Sequence, residues 1–277
     1  MPPFHWWRTV FFLIPAIAVY TIILGTLSIL STFVDRKGHA AHWCARAWAW
    51  LILATTGVDV DVRGLERVKL GDTYVFISNH QSIYDIPVIF ASLPFQLRII
   101  AKESLGRFPF LGWHLIRAGH LLVDRRNPNR SAILNRWRRL VGDRLSLIIF
   151  PEGTRSPDGS VGRFKGGSFL LALEAGLTIV PLSVSGTKHV MKKGRLMTCP
   201  GKVTLRVHDP IPTTRIESPT ADDARALAVR IEEIVRSGVE HPGGSQSTID
   251  LKGLLENHPA LKTPAGSYWR RSRRRLS

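Results

Sequence analysis

From Thr9 to Val34 the chain carries no charged residue: TVFFLIPAIAVYTIILGTLSILSTFV. Crossing a bilayer takes about 20 apolar residues, so the run is long enough to span and too long for the core of a signal peptide. Trp6 and Trp7 precede it, where interfacial aromatic residues belong. After DRKGH comes a second apolar stretch, AAHWCARAWAWLILATT, residues 40–56, with three Trp and Arg46. It is a poor spanning helix and a good interfacial one, its Arg able to snorkel. Three arrangements fit: a single span followed by a surface helix, a helical hairpin embedded in one leaflet, or a buried hairpin in a soluble protein. Pro15 and Gly25 interrupt the first run, which favours the membrane-embedded hairpin over residues 1–57.

Charge narrows the partners. Lys and Arg total 38 against 21 Asp and Glu, a formal net charge of +17 over 277 residues. Such an excess draws a protein to polyanions, and the apolar N-terminus selects an anionic membrane and phosphorylated substrates over nucleic acid. Arg36 and Lys37 outnumber Asp35 after the first run, which predicts the following domain on the cytoplasmic side. The C-terminal YWRRSRRRLS reads either as a solvated tail or as an added anchor, each basic residue contributing about 1 kcal/mol near anionic lipid. Cys44 and Cys199 are too few and too far apart for a disulfide framework, and no ligand spacing suggests a metal.

Between Val58 and Asp209 strand and helix patterns alternate. Strands are expected at 58–64, 73–78, 97–102, 145–150, 177–186 and 202–211. Helices are expected at 86–93, 111–119, 130–143, 164–176 (ended by Gly176) and 222–238 (capped by Thr220). The expected fold is α/β, a mixed, mostly parallel sheet flanked by helices, over residues 58–238; residues 239–277 read as an irregular basic tail. In such sheets ligands bind beyond the carboxyl ends of strands.

Those ends are where the chemistry-bearing residues fall. NHQSIYD follows 73–78, and AKESLGRFPFLG covers the end of 97–102. FPEGTRS covers the end of 145–150, and VPLSVSG lies within 177–186. His80 and Asp85 would point about 140° apart on a regular helix, so they converge only if a turn intervenes. Pro87 is tolerated in a first turn, which starts the helix near Tyr84 or Asp85 and leaves His80 in the loop before it. An Asp that orients a His makes a general base near neutral pH; equally, Asp85 could cap the helix and His80 be a loop residue. With no G-x-S-x-G elbow, the base would act on a substrate hydroxyl. Gly153 lets backbone approach a ligand, while Thr154 and Arg155 can hold a phosphate. Lys102, Arg107, Arg125 and Lys165 follow other elements and could meet the same charge.

Taken together, NHQSIYD, AKESLGRFPFLG, FPEGTRS and VPL resemble the four ordered blocks of the glycerolipid acyltransferases, closest to the bacterial 1-acyl-sn-glycerol-3-phosphate (lysophosphatidic acid) type. The resemblance implies transfer of an acyl group from acyl-CoA or acyl carrier protein, with no other cofactor, to the sn-2 hydroxyl of a lysophosphatidate, giving phosphatidate for phospholipid synthesis at the inner membrane. His80 would be the base and Asp85 its orienting partner. Lys102 and Arg155 would bind the phosphate, and Asn79, Glu152, Gly153 and Thr154 would shape that site. Pro181 would help wall the acyl chain. Glu103 and Ser104 before Leu105 shift the acidic residue of the second block by one place, which bears on acceptor recognition. Other acceptors remain open (glycerol 3-phosphate, another lysophospholipid, a lyso-ornithine lipid), as does a non-catalytic basic membrane-binding protein.

Overall fold

Alternation along β2, Val75–Ser78, sends Val75 and Ile77 to one face of the sheet and Phe76 to the other. The same split recurs in β5, Ser146–Ile149, with Leu147 and Ile149 opposite Ile148, and in β6, Ile179–Ser185, with Ile179 opposite Val180. Strands apolar on both faces must be covered on both, as parallel sheets are. The computed structural model describes residues 3–35, 38–124 and 130–239. The expectations resting on Arg36, Lys37, Arg125 and the basic tail lie outside them.

The sheet has seven strands in the order β1-β7-β6-β2-β5-β3-β4, where β1 is Val58–Arg63, β3 Leu97–Lys102, β4 Leu121–Val123 and β7 Gly201–Val207. All neighbours run parallel except β6 and β7. β4 was not expected: three residues are too few to show a period of two.

The N-terminal segment is a helical hairpin. α1, Phe4–Arg8, passes through a π-helical turn at Thr9–Leu13 into α2, Ile14–Ser31, and α3, His39–Thr56, returns. Pro15 does not break the run. It sits in the first turn of α2, where the widened turn before it absorbs the missing N–H. Gly25 is a point of close approach, since a Cβ there would lie 3.1 Å from Phe110 Cβ. Thr21 Oγ1 accepts from Trp48 Nε1 (2.9 Å) and Tyr20 and Thr55 share a hydroxyl hydrogen bond (3.0 Å), joining the arms. Phe4–Ser31 is long and apolar enough to cross a membrane.

α3 ends at Gly57, whose φ of +77° is left-handed, and its Ala49, Ile52 and Leu53 enter the core on the Phe76 face. α4, Asp85–Ser92, covers the same face with Val88, Ile89 and Phe90. Arg46 does not snorkel outward. Its guanidinium donates to the carbonyls of Leu93 (2.7 Å) and Ala91 (3.1 Å), satisfying orphan acceptors at the end of α4. α5, Leu111–Arg117, packs beside α2.

The other face is covered by α6, Arg130–Gly142, α7, Gly167–Ala175, and α9, Ala221–Gly238. Their Trp137, Phe169, Ile231 and Val235 are fully buried. α7 stops at Gly176 in the left-handed region, and Thr220 caps α9 in a reciprocal pair with Asp223. A short α8, Thr187–Val190, follows β6.

Candidate active site

Strands β2, β5 and β3 are side by side, so the segments leaving their carboxyl ends gather at one edge of the sheet. β2 runs into Asn79-His80-Gln81-Ser82, and α4 begins at Asp85. The turn between them brings His80 and Asp85 together: His80 Nδ1 lies 2.7 Å from Asp85 Oδ2. Asp85 is fully buried and does not cap its own helix. Its Oδ2 also accepts from the Gln81 and Ser82 N–H groups (2.7 and 2.9 Å), and its Oδ1 from the Thr187 hydroxyl (2.5 Å). Asp85 is the acceptor in all these contacts, so Nδ1 is the ring nitrogen that donates and Nε2 keeps its lone pair. The ring stacks on Phe150, centroids 4.3 Å apart, and the side chain is 15% exposed. One edge of the imidazole is thus fixed and the other is open.

FPEGTRS wraps around this loop. Glu152 accepts the His80 N–H at Oε1 (2.8 Å) and the Gly162 N–H at Oε2 (3.2 Å). Burial pushes its carboxyl up from the usual range, while those two donors pull it back. A Cβ on Gly162 would come within 2.8 Å of Glu152 Oε2, so a side chain there would push the carboxylate aside. Gly153 turns the chain at φ +73°, a conformation other residues resist. Ser156 N–H closes the wrap on the His80 carbonyl (2.7 Å).

Sequence reasoning gathered these residues as one set, and the structure sorts them. Asn79, expected at the substrate, is fully buried. Its amide donates to the Val184 carbonyl (2.9 Å) and accepts the Val184 N–H (2.8 Å), so it ties the loop to β6. Pro181, expected on the acyl wall, is buried in β6 opposite Ile77 and lines no part of the cavity described below. Its carbonyl accepts from the His208 N–H (3.0 Å), just beyond the β6–β7 register that begins at Leu182. Glu152 holds backbone. Lys102, at the end of β3, is exposed, and Arg155 is half-buried; the side chains of both have no polar partner among the described residues. Thr154 is exposed, its hydroxyl taking a hydrogen bond from Lys193 Nζ (3.1 Å). Lys165 lies by the Gly153 turn, its Nζ 3.0 Å from where a Cβ would stand.

Three partners were missed. Thr187 meets Asp85 only through the fold, and nothing in its local sequence marks it; Phe150 opens FPEGTRS, but its stacking on His80 shows only in the fold. Lys193, which also donates to the Arg155 carbonyl (2.8 Å), stood in a basic stretch without a motif.

Beside α4 an apolar cavity of about 160 Å³ opens between the hairpin and the α/β unit. Ile83 and Ile86, flanking Asp85, line one part of it, and Cys44, Ala45, Trp48 and Ala101 others.

The Acyltransferase family model matches residues 59–185, which hold every one of these site residues except Thr187 and Lys193. The chain is 33% identical over 74% of its length to a chloroplastic 1-acyl-sn-glycerol-3-phosphate acyltransferase of Arabidopsis thaliana, and spans 59% of that relative's length. It is 32% identical over 80% of its length to the 1-acyl-sn-glycerol-3-phosphate acyltransferase of Saccharomyces cerevisiae, covering 74% of it. The crystal structure of the 1-acyl-sn-glycerophosphate acyltransferase of Thermotoga maritima superposes with a TM-score of 0.67 at 29% identity, over 83% of this chain and 96% of that one. The chain therefore belongs to the acyltransferase family.

Proposed function

We propose that the protein transfers an acyl group from a thioester donor, acyl-CoA or acyl carrier protein, to the sn-2 hydroxyl of a 1-acyl-glycerol 3-phosphate, releasing phosphatidate and the free thiol. The observation that carries this is the 2.7 Å His80–Asp85 pair at a strand end rimmed by Lys102 and Arg155, in a chain of this family. Nε2 takes the proton of the acceptor hydroxyl as its oxygen attacks the thioester carbonyl. The tetrahedral intermediate collapses by breaking the C–S bond, and the imidazolium returns the proton to the departing thiolate. Asp85 keeps the ring in the reactive tautomer and stabilises the imidazolium. Lys102 and Arg155 hold the phosphate. The apolar cavity takes an acyl chain, since its wall begins beside Asp85 and is hydrocarbon almost throughout.

The hairpin lies in one leaflet and does not cross. In support, the α/β unit touches the long helix near both ends. Thr9 Oγ1 accepts from Thr198 N–H (2.9 Å), and Ser28 Oγ meets His114 Nδ1 (2.5 Å). At 1.5 Å per residue those contacts are about 28 Å apart, nearly the hydrocarbon thickness of a bilayer. A spanning helix would drag both contact walls into the lipid. Its outward Phe11, Phe12, Ile23, Leu27 and Leu30 are exposed and available to acyl chains. The membrane is the inner one, with the α/β unit on the cytoplasmic side, where acyl thioesters are made.

The test is acyl transfer by detergent-solubilised protein. The donors are acyl-CoA and acyl carrier protein, and the acceptors lysophosphatidate, glycerol 3-phosphate and lysophosphatidylcholine. Phosphatidate from lysophosphatidate, lost in His80→Ala, is expected; equal turnover by the variant would remove His80 from the chemistry.

A further inference from the structure

The segment after α8, Met191-Lys192-Lys193-Gly194-Arg195-Leu196-Met197, belongs to no block of the family resemblance. It is nonetheless tied to three parts of the molecule at once. At its start the Met191 carbonyl accepts from Ser82 Oγ (2.7 Å), in the loop that carries His80. In its middle Lys193 Nζ holds Thr154 Oγ1 and the Arg155 carbonyl (3.1 and 2.8 Å). At its end Thr198 N–H donates to Thr9 Oγ1 in the hairpin (2.9 Å). Between these anchors Lys192, Lys193 and Arg195 are exposed, and Leu196 is 51% exposed among them. No Asp or Glu occurs between Glu174 and Asp209 to offset them. An apolar tip ringed by cations, continuous with a hairpin whose own outward face is apolar, matches the boundary between acyl chains and anionic headgroups.

We propose that residues 191–197 form a second membrane contact, which docks on the anionic lipid surface and carries that docking through Lys193 to the turn at Thr154 and Arg155. This rests on the leaflet-embedded reading of the hairpin. It makes the site sensitive to headgroup charge: on anionic vesicles the loop is seated and the phosphate turn is held, whereas on neutral ones the hairpin alone binds.

The experiment compares the full chain with Lys192→Gln/Arg195→Gln and, separately, Leu196→Asp. Co-sedimentation uses phosphatidylcholine vesicles with and without phosphatidylglycerol. Turnover of lysophosphatidate is measured on the same vesicles and in neutral detergent micelles. Neutralising two cations should lower affinity for anionic vesicles about thirty-fold, at about 1 kcal/mol per charge. The same change should leave binding to neutral vesicles and turnover in micelles unaltered. The anionic increment should shrink as salt rises. Leu196→Asp should lower binding to anionic vesicles and leave binding to neutral ones as it is, and both variants should lose the stimulation of turnover by anionic lipid. Variants that keep the whole anionic increment overturn the proposal. So does a defect confined to acyl carrier protein as donor, which would make the loop a protein-docking site. A wild-type chain that sediments with neither vesicle overturns the hairpin reading along with it. A wild type without turnover overturns acyl transfer alone, and the sedimentation arm still decides the loop.

Discussion

Around His80 nearly every polar group is committed. The backbone N–H of His80, Gln81 and Ser82 all donate to carboxylates, the His80 carbonyl accepts from Ser156, and Asp85 accepts from four donors. Around Lys102, at the end of β3, and Arg155, in the turn after β5, the charged ends meet no partner among the described residues, and Lys102 is exposed. Under the proposed function the difference follows from what each part must do. A base works only if its lone pair waits at a fixed place, because positioning is where much of the rate arises. A cation that receives a phosphate gains from reaching it and would lose from being paired beforehand, since a protein carboxylate would have to be displaced first.

The contrast breaks most visibly at His80. His80→Ala should lower kcat by about 10²–10⁴-fold and leave the fold intact by circular dichroism, because the ring is not core. A drop of less than tenfold would mean that the fixed loop is architecture and the base lies elsewhere. Next come the cations. Arg155→Ala and Lys102→Ala should each raise KM for lysophosphatidate about 10–100-fold, the range of a charged hydrogen bond, with little change in kcat or Tm. A large fall in Tm would show that these side chains already serve the fold. Ala45→Phe tests whether the cavity reads the chain. It should change the ratio of long-chain to short-chain turnover about tenfold in favour of short chains, without touching the phosphate KM.

The smallest effect concerns His208, outside the site. Burial, helped by Arg206 and Arg67, pulls its imidazole down to about 4. The neutral ring donates from Nε2 to Ser183 Oγ (2.7 Å), whose hydroxyl is given to the Val235 carbonyl. Unfolded, the ring titrates near 6.5, so between pH 6.5 and 4 the unfolded state binds the extra proton. Stability present above pH 6.5 should decline as pH falls through that window. His208→Gln should lessen the decline in urea midpoints measured from pH 7 to 4, leaving the part due to the buried His42, His114 and His120.

The longer strands and helices from Val58 to Gly238 were legible because each is long enough to display its period, some also punctuated by glycine or a cap as Gly176 and Thr220 illustrate, whereas the four-residue α8 was not. β4 was too short to display one. The His80–Asp85 pair was legible in outline because Pro87 limited where α4 could begin. The roles of Asn79, Glu152 and Pro181 were not. A motif lists residues needed together, and it cannot say which face the ligand and which hold the frame. That distinction depends on burial, set by β6 and by residues far away in the chain. Arg46 misled for the same reason, since an Arg among tryptophans suits a lipid headgroup or a helix end equally well.

The hairpin also bears on how the chain could be shortened. Ala49, Ile52 and Leu53 of α3 share one core with Val60, Phe76, Val180 and Val184 of the sheet, so the first 57 residues are a wall of the catalytic unit as well as its attachment. Cutting them away would leave α4 to cover one side of a sheet whose strands are apolar on both, and would wet the part that α3 covers. The product would be an aggregating fragment, with no free-standing soluble enzyme inside it to liberate. Lipid attachment in this chain is inseparable from the act of folding.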